Sequence, residues 1–578
     1  MKKRVLFLLI LCVLASVSVA AKDKKEKKTR NGEGVTLNGS IQSDMLVPQV
    51  DEAIGTGTYE HGFLSNNYLT LGLNSKYIDA GARLELNARP LPGFEQNFPG
   101  NGLPYVYVNG KFKYVKFTIG NVYDQFGSGF IFRSYEERSL GIDNSLRGAR
   151  LIVQPYKGIS LKVLGGMQRN YWNYTKDNAF GFDYSQGIVW GADLELNIDE
   201  WSQKMQENNW YLTLGASFVS KYQPDEKIYC IEHPSDYLNL PKSVGAADFR
   251  VRLQHGNWSA MAEYAMKAND PSADNGYIYK KGSVAMLSGT YSKSGMSAML
   301  QVKRSDNMSF RSNRSQRGTA GFINHMPAFS MTQTYALAAL YPYATQPDGE
   351  WAFQGSFGYT FKRGTKMGGK YGTTFKLNAS HIRAIQKDFV DDLYGNKYGD
   401  PGYDAMGSDG YTSKFFASGE EYYTDINLEF QKKINKKWYI QAMYMYQRYN
   451  QRKVEGHGIN GDVVKSNIII GDVKYQPSKN VSMRWEAQGL FTRQAEGSWL
   501  YGLYELSLFK SLMLSVSDMY NAGTTKLNYY MVAAAYTWKS HRLQLSYGRT
   551  RAGYNCSGGV CRYVPASKGL NISYNVNF

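Results

Sequence analysis

The last nine residues constrain the fold of this chain more than any other feature. Leu570, Ile572, Tyr574, Val576 and Phe578 alternate strictly with Asn571, Ser573, Asn575 and Asn577. On a strand the first set shares one face and the second set the other. A closing strand with one face in lipid and one in an aqueous lumen needs this pattern and an aromatic end, so it points to a membrane β-barrel. Tyr574, Val576 and Phe578 also resemble the C-terminal signal by which the barrel-assembly machinery recognises its substrates for insertion.

The opposite end agrees. Met1-Lys2-Lys3-Arg4 is a basic head, and an apolar run follows from Val5 to about Val19 before Ala20-Ala21 and the charged Lys22-Asp23-Lys24. This is the pattern of a secretory signal peptide over residues 1–21, too short for a membrane span. Cys12 follows Ile10-Leu11, which does not fit a lipoprotein cleavage box. Residues 22–34 read as a disordered basic periplasmic lead-in, and 35–578 as one barrel domain. No later window holds the uninterrupted apolar run of a transmembrane helix, and mean hydropathy is −0.45. An exported chain without a helical anchor fits the outer membrane.

The alternation repeats along the chain. Trp190, Ala192, Leu194 and Leu196 alternate with Gly191, Asp193, Glu195 and Asn197, and Val481, Met483, Trp485 and Ala487 with Ser482, Arg484, Glu486 and Gln488. Runs of roughly 9–12 residues suit tilted strands crossing a bilayer. Aromatic residues make up 14% of the chain, with 46 Tyr, as expected of girdles at the two interfaces. Short basic connections, such as Lys436-Lys437 and Lys539-Ser540, contrast with long Gly-, Asn- and Tyr-rich ones near 170–186, 221–242, 305–330 and 385–417. The expectation is all-β: a large antiparallel transmembrane barrel of about 24–26 strands, with short periplasmic turns and long outer loops. About 25 strands are visible. Two of them, one ending near Arg304 and the other at Tyr335–Leu340, both run outward, so Ser305–Met331 hides a return, either a missed strand or a segment folded into the lumen.

Two segments break the period and are candidates to fold into the lumen. The first runs from Gly120 to Arg150 and carries Arg133, Glu136, Glu137, Arg138, Asp143, Arg147 and Arg150. The second runs from Ser305 to Arg317, with Arg311, Arg314 and Arg317 spaced by three. The competing reading is a pair of surface loops whose basic residues meet lipopolysaccharide phosphates.

The Gly120-Asn-Val-Tyr-Asp-Gln-Phe-Gly-Ser-Gly pattern, the Arg133–Arg138 block, Asp143–Gly148 and the Tyr341–Glu350 stretch resemble a Bacteroidota outer-membrane β-barrel family of unknown function, porin-like in character. The resemblance covers the mature chain. It implies the fold and the outer membrane, and implies little about activity.

Formal net charge is +18, about +15 without the signal. Export and barrel patterning exclude nucleic acid as the partner. Inferred lumen positions carry both signs: Arg83, Arg250, Arg252, Lys376 and Arg484 stand with Glu85, Asp193, Glu195, Glu263, Asp425, Glu429 and Glu486, a wall that needs water or internal pairing. A basic constriction would favour anions. Basic rims, with Arg549 and Arg551 past the lipid-facing row, would instead meet lipid phosphates. Cys556 and Cys561 lie in the loop before the last strand, at a spacing a disulfide can close in an oxidising compartment. Cys230 is left as a thiol. The seven histidines are scattered and no metal or cofactor motif appears. Ser380-His381 and Asp391-Asp392 are isolated, so no enzyme is expected. Two functions follow: a porin-like channel or uptake barrel for small polar solutes, anionic ones if the constriction is basic, or a non-conducting scaffold in an envelope assembly or secretion complex.

Overall fold

A computed structural model describes residues 34–59, 61–172, 182–230, 234–390, 405–456 and 461–578. The signal peptide, nearly all of the lead-in, Cys12 and the Asp391-Asp392 pair lie outside them.

Twenty-four strands hydrogen-bond in one antiparallel sheet that closes on itself. They run from 8 residues (Val115–Val122) to 16 (Phe182–Asn197, Ser418–Lys433). Closure joins the two ends of the sequence. The last strand, Ser567–Asn577, pairs with the first, Thr36–Pro48, from Ser40 opposite Asn577 to Pro48 opposite Gly569. Phe578 and Gly39 exchange backbone hydrogen bonds of 2.9 and 2.7 Å. Closure leaves no sheet edge unpaired, which a bilayer requires.

The outward face explains the alternation. Leu71, Val108, Ile119, Val163, Phe218, Val251, Leu287, Leu300, Leu428, Ile469, Val532 and Leu545 are exposed around the whole circumference. In water such a band would be prohibitive, and in hydrocarbon it is the solvent-facing surface. Tyr77, Phe112, Trp210, Trp258, Trp438 and Trp538 gather at the end that carries the short turns, as an interfacial girdle. Trp210 stacks on His255 at 4.0 Å and Trp438 on Tyr475 at 4.3 Å.

Between Arg304 and Tyr335 there is no missed strand, and of the two expected forms of the return the segment folded into the lumen is the one found. Strand Met296–Asp306 is followed directly in the sheet by Glu350–Phe361, and the 43 residues between them form one long connection. Tyr335–Leu340 is no strand. Ala339 N donates to the Tyr335 carbonyl at 2.9 Å and Leu340 N to that of Leu337 at 3.3 Å, so an Ala-rich stretch closes its hydrogen bonds locally in helical turns. Removing this strand from the 25 gives the even count of 24.

Candidate functional site

Two connections at the long-loop end, 123–145 and 307–349, fold into the barrel and meet there. Arg133 N donates to the Ile323 carbonyl at 2.8 Å, His325 N to that of Gly129 at 2.9 Å, and Asn324 Nδ2 to those of Phe130 and Met308 at 2.9 and 2.7 Å. Their apolar side chains then find a wall. Phe126, Phe130, Ile131, Phe132, Phe310 and Ile323 pack on inward-facing Val189, Val219, Val244, Ala265 and Val284. Farther along the wall, Phe329, Tyr335, Leu337, Tyr341 and Tyr343 pack on Ile382, Met445, Ile468, Leu490 and Trp499. Each such side chain contributes about 1.5–3 kcal/mol when withdrawn from water, so two apolar clusters hold the segments against the wall in the outer half of the lumen.

Polar seats fix the segments in register. Ser128 donates through its backbone N and hydroxyl to the two carboxylate oxygens of Glu263, at 2.9 and 2.6 Å. Gly127 has φ +50°, and a Cβ there would stand 2.6 Å from Glu263 Oε1. At the far side of the lumen, Arg83 pairs with Glu85 and Glu136, both at 2.9 Å, while Arg169 pairs with Glu85 at 2.8 Å. Both guanidiniums also grip Asp143, which accepts from Tyr123 at 2.9 Å. Burial works against the Asp143 charge, but Arg169 and Arg83 outweigh it and hold the carboxyl well below the usual range. Under the second segment, Lys303 and Glu350 pair at 2.9 Å with both side chains wholly buried.

The residues singled out in the sequence take different places. Arg138 lies over Tyr68 and reaches Glu136 at 2.7 Å and Gln42 at 2.8 Å. Arg150 pairs with Asp124 at 2.7 Å. Arg311 pairs with Asp274 at 2.5 Å and covers Phe322, and Arg314 is buried against Gln223 and the Pro241 carbonyl. Arg133 stacks on Tyr135, and Glu137 accepts from Ser139. Arg317 is exposed. Arg147 must be corrected: it lies not in a lumen segment but in the strand Leu146–Val153, where Leu146 faces the lumen and Arg147 therefore points to the outer face. Arg549 and Arg551 are not unmatched rim cations, since they pair with Asp51 at 2.7 Å and Glu496 at 3.4 Å. Ser380 and His381 point to opposite faces of their strand, and His381 bonds Thr424 instead. Cys230 is buried against Leu238 and Leu240.

Cys556 and Cys561 are joined in a hairpin, Gly553–Ser557 with Val560–Val564, that lies across both lumen segments. Arg562 covers Phe94 at 3.9 Å and donates to the Ser139 carbonyl at 3.0 Å, and Thr345 N donates to that of Gly559 at 2.9 Å. Beneath it is a cavity of about 350 Å³ bounded by Tyr135, Phe322, His325, Thr345 and Tyr554. Sequence reasoning did not assign residues 332–349 to the lumen, because the Tyr335–Leu340 stretch imitates a strand and the rest has no charge pattern. The signal lies in four aromatics, Phe329, Tyr335, Tyr341 and Tyr343, all buried, in a stretch that a solvated loop would make polar.

The third of the lumen nearest the short turns is different. Glu195, Lys376 and Arg484 have side chains 42, 43 and 33% exposed, although they face inward. Arg484 bridges Asp472 at 2.9 Å and Glu505 at 2.5 Å, and Lys376 reaches Glu429 at 3.3 Å. This region is wet and of mixed charge.

No curated protein matches the chain. Among solved structures it is similar to a mutant of the ferric enterobactin receptor PfeA from Pseudomonas aeruginosa, with 10% identity, a TM-score of 0.42, and 95% of this chain and 81% of that one covered. The siderophore receptor PirA from the same organism gives 10%, 0.38, 95% and 81%, and OccAB3 from Acinetobacter baumannii 8%, 0.34, 94% and 99%. These values are too low for activity or substrate to be carried across. The model of a family of unknown function, DUF6029, matches residues 1–578, and the chain belongs to that family.

Proposed function

We propose that this DUF6029 member is an outer-membrane uptake channel for small polar solutes, closed at rest by its own segments 123–145 and 307–349. The observation that carries it is the wet, mixed-charge wall below the closure. A barrel used only as a frame has no need of solvent-accessible charges in its interior, whereas Glu195, Lys376 and Arg484 are ion-paired and still 42, 43 and 33% exposed. The closure belongs to the same chain and is seated by ion pairs, which can exchange for water when the segments move. Inward-folded carboxylates match Arg138, Arg150 and Arg311, so the reading is for polar solutes without a general anion preference. The surrounding partners are lipid and lipopolysaccharide, with the barrel-assembly machinery at insertion.

The apolar character of the closure favours a second reading, a non-conducting scaffold for an envelope assembly. Swelling of proteoliposomes in isotonic sugars and amino acids separates the two. Swelling that accelerates when Glu263→Ala and Ser128→Ala release the 126–132 seat supports the channel. Absence of swelling in both proteins favours the scaffold.

A further inference from the structure

The cavity under the disulfide hairpin is not explained by closure alone. Polar groups that face it are buried and unsatisfied. Thr319 is 6% exposed and its hydroxyl has no hydrogen-bond partner, nor has that of Thr345. His325 is also 6% exposed and lines the cavity, its ring edge-on to Tyr135 at 5.7 Å. Leaving such hydroxyls unpaired carries a desolvation cost that a bound molecule would relieve. Tyr135, Phe322 and Tyr554 supply flat faces around them, and the lining is mostly apolar. Arg311 is matched by Asp274, and Glu455 adds a carboxylate, so the cavity offers nothing to an anion. Burial, followed by Arg133 and Lys303, pushes His325 down to about 3. The ring is therefore neutral at physiological pH, with one donor and one acceptor.

We infer that this cavity is a binding site for an uncharged, hydroxylated aromatic solute of about the size of an aryl glycoside, with His325, Thr319 and Thr345 as its hydrogen-bonding groups. The inference names a substrate class for the uptake reading and rests on that reading for its physiological meaning. The volume of about 350 Å³ is within the range of small-molecule sites, and the hairpin forms the roof through Tyr554 and Val560.

The test is titration calorimetry of the full chain in nanodiscs with arbutin, an uncharged hydroxyphenyl glucoside, beside phenyl phosphate and tyramine as charged counterparts. Saturable arbutin binding is expected, weakened at least fivefold by the isosteric pair Thr319→Val and Thr345→Val and by His325→Phe. No binding to the wild-type protein would overturn the site, and tighter binding of either charged probe would overturn the uncharged class. On the wild-type protein alone, saturating arbutin should slow tryptic cleavage after Arg562; unchanged cleavage would place the probe elsewhere and overturn the assignment. Conductance is read separately. Binding without conductance removes the uptake reading and leaves the site, and conductance without binding does the reverse.

Discussion

At the residue scale, the closure depends on charges that cannot be removed singly. Lys303 and Glu350 are wholly buried, and Lys303 also covers the ring of Phe329 at 5.0 Å. Lys303→Met would leave an uncompensated carboxylate and should cost about 3–5 kcal/mol in urea unfolding from lipid, whereas Lys303→Met with Glu350→Gln should recover most of that. A single variant as stable as the wild type would mean that the pair is hydrated. Asp143 gives a pH prediction. Its carboxyl is depressed in the folded protein, so its stabilisation is present above the ordinary carboxylate value and is lost as pH falls through the lower folded value. Protease resistance of 123–145 should therefore be unchanged from pH 7 to pH 5 and fail only in stronger acid. Loss near pH 5 would contradict the Arg83–Asp143–Arg169 grip. Inward charges such as Arg83, Glu263 and Arg484 were legible in the sequence because period two separates lipid from lumen at each position. Arg147 was not, because the strand boundary at Leu146 decides its face and nothing local marks that boundary.

At the element scale, the hairpin and the 307–349 segment fit through one glycine. Gly559 has φ +94°, and a Cβ there would lie 2.6 Å from Ala328 N and 2.7 Å from Thr345 Oγ1. Gly559→Val adds both a clash and an unfavourable backbone conformation. It should speed tryptic cleavage after Arg551 and Arg562 several-fold while the barrel keeps its heat-modifiable migration. Equal cleavage rates would show that the hairpin does not rest on the segment. Strands were readable because each repeats one pattern against one solvent pair. The 332–349 stretch was not, since its burial depends on Ile382, Met445 and Ile468 from strands distant in sequence. Tyr335–Leu340 looked like a strand because Tyr335 and Leu337 flank a small Ala336, and its own backbone bonds close it into turns.

At the scale of the whole molecule, the interior is layered: apolar closure in the outer half, ion pairs at its seat, hydrated charges toward the short turns. Composition could foretell a wide, polar barrel, but whether the lumen is filled depends on where two long connections go, and those lack periodicity. The central claim is that these connections are all that closes a channel. Single-channel conductance in planar bilayers tests it most directly, comparing the wild-type protein with one whose seats are released by Glu263→Ala, Ser128→Ala and Asp143→Asn. The account predicts rare or no openings in the wild type and sustained conductance with weak ion selectivity in the variant. A variant that is folded, inserted and still silent would contradict it.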